Sequence, residues 1–176
     1  MCRIIKIALL AFLLACCSTC AFALPSDSDQ PVYLAADSIT YNYKTGFTVY
    51  QGHVTVDQGT THLTGDKVVT QDNAQHKIDQ ATAYGNVPLA HYWTIPKPGQ
   101  QQVDAYAKII IFYPIDSRVI LKQNVTVTQG KNEFHGQLAQ YSKKDQTIIV
   151  PPTLHSRAVV VYDPSSNKTP EASKQG

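Results

Sequence analysis

Beyond residue 20 the chain has no cysteine: all four, Cys2, Cys16, Cys17 and Cys20, fall in its first 20 residues. A chain cut after Ala23 therefore carries no thiol. That excludes a disulfide framework, thiol catalysis and a zinc–thiolate site in what remains. Clustered charge is lacking too. The 15 basic residues, less Arg3 and Lys6, balance the 13 acidic ones, and both signs are scattered. Without a basic patch to follow a phosphate backbone, the chain does not read as a nucleic-acid binder. A neutral chain has weak colloidal repulsion and tends to self-associate. Helical periodicity is absent: past the N-terminal segment no dozen residues place apolar side chains at i, i+3, i+4 and i+7.

Catalytic motifs are missing as well. There is no Gly-x-Ser-x-Gly, no phosphate-binding glycine loop and no His-Glu-x-x-His. The histidines (His53, His62, His76, His91, His135, His155) are spread thinly. Glu133 and His135 share a strand face and could share a metal, but a polar pair on the wet side of a strand is the plainer reading. No spacing favours any pair of carboxylates for acid–base work. The sequence therefore predicts no enzyme, no cofactor and no metal. Asn124-Val125-Thr126 matches a glycosylation sequon by pattern only, and Asn124 is read as a residue that turns the chain.

The N-terminal segment is a targeting signal. Arg3 and Lys6 form a basic region, Ile7 to Ala15 an apolar one, and Ala21-Phe22-Ala23 a small-x-small cleavage site, so the mature chain starts at Leu24. The apolar run is short for a membrane span of about 20 residues. Two other fates stay open: Leu13-Leu14-Ala15-Cys16 resembles a lipobox with Cys16 acylated, and the segment could remain as an anchor. The resulting organisation is a signal peptide over 1–23, a flexible stretch over 24–30, one domain over 31–162 and a disordered tail over 163–176.

What the sequence does have is alternation. Val32-Tyr33-Leu34, Ile39-Thr40-Tyr41-Asn42-Tyr43, Val54-Thr55-Val56 and Val125-Thr126-Val127 follow period two, and Val, Ile, Thr and Tyr suit a half-buried pleated surface. Turn signals recur at Lys44-Thr45-Gly46, Asp57-Gln58-Gly59, Asp72-Asn73, Gln129-Gly130-Lys131 and Lys143-Lys144-Asp145. This spacing predicts more than ten short strands and little helix. Trp93–Gln102, with Pro96, Pro98 and Gly99, reads as a long exposed loop. A repeat organises the rest: Val49–Thr70 lies without a gap over Ile120–Tyr141, and Val54, Thr55, Val56, Gln58, Gly59 and Gly65 are identical in both copies. Repeated alternating runs predict stacked strands and a function spread along a surface.

The inward-facing set read from the alternation begins with Val32, Leu34, Tyr41, Tyr43, Tyr50, Val54, Val56, Leu63 and Val68. Ile110, Phe112, Leu121, Val125, Val127, Phe134 and Leu138 continue it in the second half. These residues either pack a closed core or line an apolar slot that accepts acyl chains, at about 0.8 kcal/mol per buried methylene.

Asp29-Gln30-Pro31-Val32-Tyr33-Leu34-Ala35-Ala36-Asp37 resembles the mature start of the OstA-like family of periplasmic lipopolysaccharide transport proteins. Gly52-His53-Val54-Thr55-Val56-x-Gln58-Gly59, Gly65-Asp66-Lys67-Val68-Val69 and Tyr84-Gly85-Asn86 are similar to that family's repeats. The resemblance spans Asp29 to Tyr162. It implies an all-β, open, twisted β-jellyroll of about sixteen antiparallel strands, V-shaped in section, with an apolar interior. It implies carriage of lipopolysaccharide, through its lipid A part, from the inner to the outer membrane. LptC would dock at the N-terminal edge (Pro31, Val32, Tyr33, Leu34) and LptD at the C-terminal edge (Ala158, Val159, Val160, Val161), with copies joining end to end. Unpaired strand edges of this kind are templates for β-augmentation. Lipid-facing positions match Val32, Leu34, His91 and Phe112, where His91 departs from the usual apolar aromatic residue. An LptC-like anchored subunit and a structural β-repeat protein with a dry core are the competing readings.

Overall fold

The structure is a computed structural model that describes residues 27–142, 144–145, 147–152 and 157–164. The leader, its cleavage site, Cys16, His155 and most of the tail lie outside the described residues. A short 3-10 turn, Asp27–Asp29, precedes the strands. They are β1 (Tyr33–Ala35), β2 (Ser38–Asn42), β3 (Phe47–Gln58), β4 (Thr61–Asp72), β5 (Ile78–Tyr84) and β6 (Ala90–Thr94). Then come β7 (Val103–Ala107), β8 (Ile109–Tyr113), β9 (Arg118–Gln129), β10 (Asn132–Ser142), β11 (Thr147–Ile149) and β12 (Val159–Val161). The loop between β6 and β7 is shorter than the sequence suggests, because Trp93 and Thr94 belong to β6.

Four long strands, β3, β4, β9 and β10, make two walls from one sheet. Their halves toward β2 and β5 or β8 and β11 build a first wall in the order β2-β3-β4-β5-β8-β9-β10-β11. The other halves build a second wall, β1-β3-β4-β6-β7-β9-β10-β12. Every pairing is antiparallel. Among the described residues there are twelve continuous strands, and each of the four long ones serves both walls, so they make sixteen strand segments.

The bends are built by residues that permit them. The β3–β4 register shifts between Gln51 and Val54, where Gly52 and His53 take φ of 81° and 45°. The β9–β10 register shifts between Gly136 and Leu138, opposite Gln123 and Asn124 at φ of 66° and 55°. An extra residue with φ > 0 on one strand is a β-bulge, which bends and re-aims the strand. A Cβ on Gly65 would meet the Tyr84 carbonyl oxygen at 2.9 Å, so the apex needs glycine there.

The duplication seen at Val49 and Ile120, an offset of 71 residues, extends well beyond the aligned segment. β1 to β4 lie over β7 to β10 with the same pairings: Leu34 opposite Val56 as Ala105 opposite Val127, and Ser38 opposite Gln51 as Ile109 opposite Lys122. Backbone exceptions repeat too, with positive φ at Gly46 and Ser117 and at Gly59 and Gly130. Gln58 Nε2 donates to the Gln30 carbonyl at 3.1 Å, and Gln129 Nε2 to the Gln101 carbonyl at 3.2 Å. β5 and β6 correspond to β11 and β12, which pair with β10 as the former do with β4. The two units meet at a seam where β5 pairs β8 and β6 pairs β7. At the outer ends β1, β2, β11 and β12 each have a single strand neighbour among the described residues.

Candidate functional site

Between the walls lies an apolar groove. Near the bends it is packed solid: Val54, Leu63, Val68, Ile110, Leu121, Val125 and Phe134 are buried there. Away from the bends the walls part and leave two cavities. The larger, about 780 Å³, lies mainly in the N-terminal unit and reaches Phe112, Pro114, Ile115, Ser117 and Lys144 of the second. Val32, Leu34, Val56, Val68 and Phe112 line it, with Gln30, Ile78 and Ile115. The smaller, about 220 Å³, lies in the C-terminal unit among Val103, Val119, Leu121, Val127, Ala139 and Tyr141. Tyr50 is half-buried against the same core. Among the described residues no buried side-chain nitrogen or oxygen lacks a partner.

Two residues of the inward-facing set, Leu138 and Tyr43, stand elsewhere, and so does His91, which the resemblance places inside. Leu138 is on the outer face, because the register shift after Gly136 changes the parity of β10; it pairs Lys122, while Ala139 and Tyr141 turn inward. The repeat carries this signal, since Leu138 lies over Lys67 and Ala139 over Val68. His91 is also outside. It alternates with buried Ala90, Tyr92 and Thr94 on β6, so the inward aromatic residue is Tyr92. Tyr43 lies past the end of β2, 89% exposed, with its ring against Tyr41 at 4.6 Å. Tyr41 sits on β2, partly exposed because β2 has no second neighbour.

His91 belongs to a stack that seals the outer face of the seam. Its ring lies 4.1 Å from that of Tyr106 and 4.5 Å from that of Trp93, which in turn stacks on His62 at 4.8 Å. Asp104 holds His91 Nε2 at 2.9 Å. Glu133 and His135 pair with each other at 3.0 Å on the outer face. Among the described residues no cluster of three or more metal-ligating side chains occurs.

A connected set of polar groups enters the groove at the N-terminal turn. Asp27, at the N-terminal turn, accepts from Thr60 N at 2.9 Å and from the Thr60 and Thr61 hydroxyls at 2.8 Å each. Thr61 Oγ1 lies 3.0 Å from Thr94 Oγ1. Burial pushes the Tyr92 pKa well above the ordinary phenol value, and the threonine hydroxyls that its own hydroxyl faces offset this in part. Burial also raises Tyr141. The turn orders Asp27 to Gln30, a stretch the sequence assigns to a flexible segment. At the other end Asp163 N donates to Asn132 Oδ1 at 2.9 Å, which pins the first residue assigned to the tail.

Two walls from one bent antiparallel sheet, with an apolar groove between them, define an open β-jellyroll. Residues 33–147 match the family described as LptA/(LptD N-terminal domain) LPS transport protein. The lipopolysaccharide export system protein LptH of Pseudomonas aeruginosa is 35% identical over 131 residues, 74% of each chain. LptA of Escherichia coli (strain K12) is 26% identical over 157 residues, 89% of this chain and 83% of that one. The crystal structure of LptH, described as the LptA-homologous periplasmic component of the lipopolysaccharide transport device of P. aeruginosa, superposes with a TM-score of 0.72 at 31% identity. It covers 80% of this chain and all of that one. The chain belongs to the LptA family of lipopolysaccharide transport proteins.

Proposed function

We propose that this chain carries lipopolysaccharide across the periplasm, with the acyl chains in the groove and the polar head outside. One observation carries the reading: an apolar groove runs from one unpaired pair of strand edges to the other. Eight strand segments per wall at a spacing of about 4.8 Å give it a length on the order of 35 Å. Each methylene it buries contributes about 0.8 kcal/mol, enough to hold a lipid without a reaction. The lipid-facing residues are Val32, Leu34, Tyr50, Val56, Val68, Phe112 and Val127, with Val54, Leu63, Ile110, Val125 and Phe134 behind them. The working unit is residues 31–162, delivered by a cleaved leader over 1–23. Transport of this kind needs no catalytic step.

The ends supply the docking. LptC takes the edge of β1 and β2, and LptD the edge of β11 and β12. A second copy joins head to tail in the same way. The internal seam is the template for that joint. Tyr92 opposite Ala105 becomes Val160 opposite Leu34 of a second copy, and Ala81 opposite Phe112 becomes Ile148 opposite Tyr41. This accounts for the exposed Val32, Tyr33, Ile39 and Tyr41 at one end and Ile148, Ile149, Val159 and Val160 at the other. A dry-cored structural protein fits poorly with a cavity of about 780 Å³. An LptC-like anchored subunit requires the leader to remain, and N-terminal sequencing of the exported protein separates the two. Depleting the chain in its Gram-negative source should strand newly made lipopolysaccharide at the inner membrane. Unchanged delivery to the cell surface would sink the carrier reading.

A further inference from the structure

The two cavities of the groove share one lining residue, Tyr92. It projects from the second wall, 2% exposed. Phe112 faces it from the first wall, with ring centroids 6.2 Å apart and planes tilted by 38°. The Tyr92 ring ends at a polar cluster: its hydroxyl faces Thr61 and Thr94, whose own hydroxyls lie 3.0 Å apart, and Thr61 donates to Asp27 at 2.8 Å, so this cluster is the ring's tether. A buried phenol held through a connected set of hydroxyls resists rotation, since swinging it leaves several polar groups unpaired together.

The duplication sharpens the point. On β12 the position of Tyr92 is taken by Val160, which pairs Phe134 as Tyr92 pairs Leu63. The tether is not reproduced there, because Asn132 stands for Thr61 and Tyr162 for Thr94. The barrier is therefore a feature of the middle of the chain and not of the repeating unit. The chamber on its N-terminal side is more than three times the volume of the other, about 780 against about 220 Å³.

We infer that Tyr92, opposed by Phe112, is a neck that divides the groove into a wide chamber and a narrow one. Lipid rests in the wide N-terminal chamber, and its passage toward the C-terminal edge requires the Tyr92 ring to leave its threonine tether. The inference rests on the lipid-carrier reading. It makes Tyr92 a positioning residue that sets where cargo pauses, and it makes each copy a two-step conduit.

The test uses the full mature chain with a photo-crosslinking residue at Val56, in the wide chamber, or at Val127, in the narrow one, and purified lipopolysaccharide as the probe. With Tyr92 in place, capture at Val56 should exceed capture at Val127 severalfold. Tyr92→Ala should bring the two to near parity. Tyr92→Phe, which keeps the ring and releases the tether, should fall between. Tyr92→Leu reads the same ratio if the alanine variant fails to fold, with thermal melts confirming the folded state. Equal capture at both positions in the unsubstituted chain overturns the neck, as does an unchanged ratio in the folded Ala or Leu variant. Absence of capture at both positions overturns the carrier reading instead.

Discussion

Individual residues at the bends carry the structural tension of this fold. His53 occupies a left-handed position beside Gly52, and its Nδ1 lies 2.8 Å from Asp37 Oδ2. That hydrogen bond, and then the carboxylate's charge, raise the His53 pKa above 6.5. A group raised on folding adds stability that is complete below its unfolded value and is lost as pH climbs through the folded one. The pair thus contributes below about pH 6.5 and fades above it, by a small amount because it is exposed. An NMR titration should place the His53 midpoint above 6.5; Asp37→Asn should return it to the ordinary range. Gly65 is a harder constraint. Its Cβ would press on a backbone carbonyl, so Gly65→Ala should cost about 1–3 kcal/mol, read as a lower denaturation midpoint. These two positions also show why some of the site was hard to read from sequence. A bulge inserts one residue and reverses which side chains face in, so alternation alone carried Leu138 inward. The register shift overturned that reading, and the repeat held an unused signal of it, because Leu138 falls over Lys67.

Strands are the scale at which the duplication acts. β1 to β6 and β7 to β12 are two versions of one unit, and the proposed end-to-end joint repeats the pairings of the internal seam. Val54-Thr55-Val56 and Val125-Thr126-Val127 were legible as strands because their alternation is strict and they lie within regular ladders. β6 was less legible: the resemblance put His91 inside and Trp93 read as the start of an exposed loop, yet both lie on the outer face of the seam, and the inward Tyr92 looks no different in composition. Strand edges follow a simpler rule. Replacing Val159 or Val161 with Pro removes a ladder donor from β12. Light scattering should show weaker end-to-end association, with monomer stability nearly unchanged because β12 pairs with β10 alone. A matching Pro at Thr40 on β2 should do the same from the other end. Oligomers that survive both substitutions would place the joint elsewhere.

At the scale of the whole molecule, stability and function draw on the same apolar surface. The core sits at the bends and holds the walls together, while the surface farther out is left open. A closed core would have used all of it. The price is two free edges and a groove that needs an occupant or a neighbour, which suits a chain that works between other components. The absence of thiols beyond residue 20 and of clustered charge fits a unit held by packing and ladders alone. Photo-crosslinking along β3 and its neighbour β1 tests the central claim most directly, because neighbouring residues of one strand face opposite ways. With lipopolysaccharide present, probes at Leu34 and Val56 should capture it, and probes at Thr55 and Asp57 on the outer face should not. Capture from Thr55 and Asp57 alone, or equally from both faces, would contradict an interior lipid path.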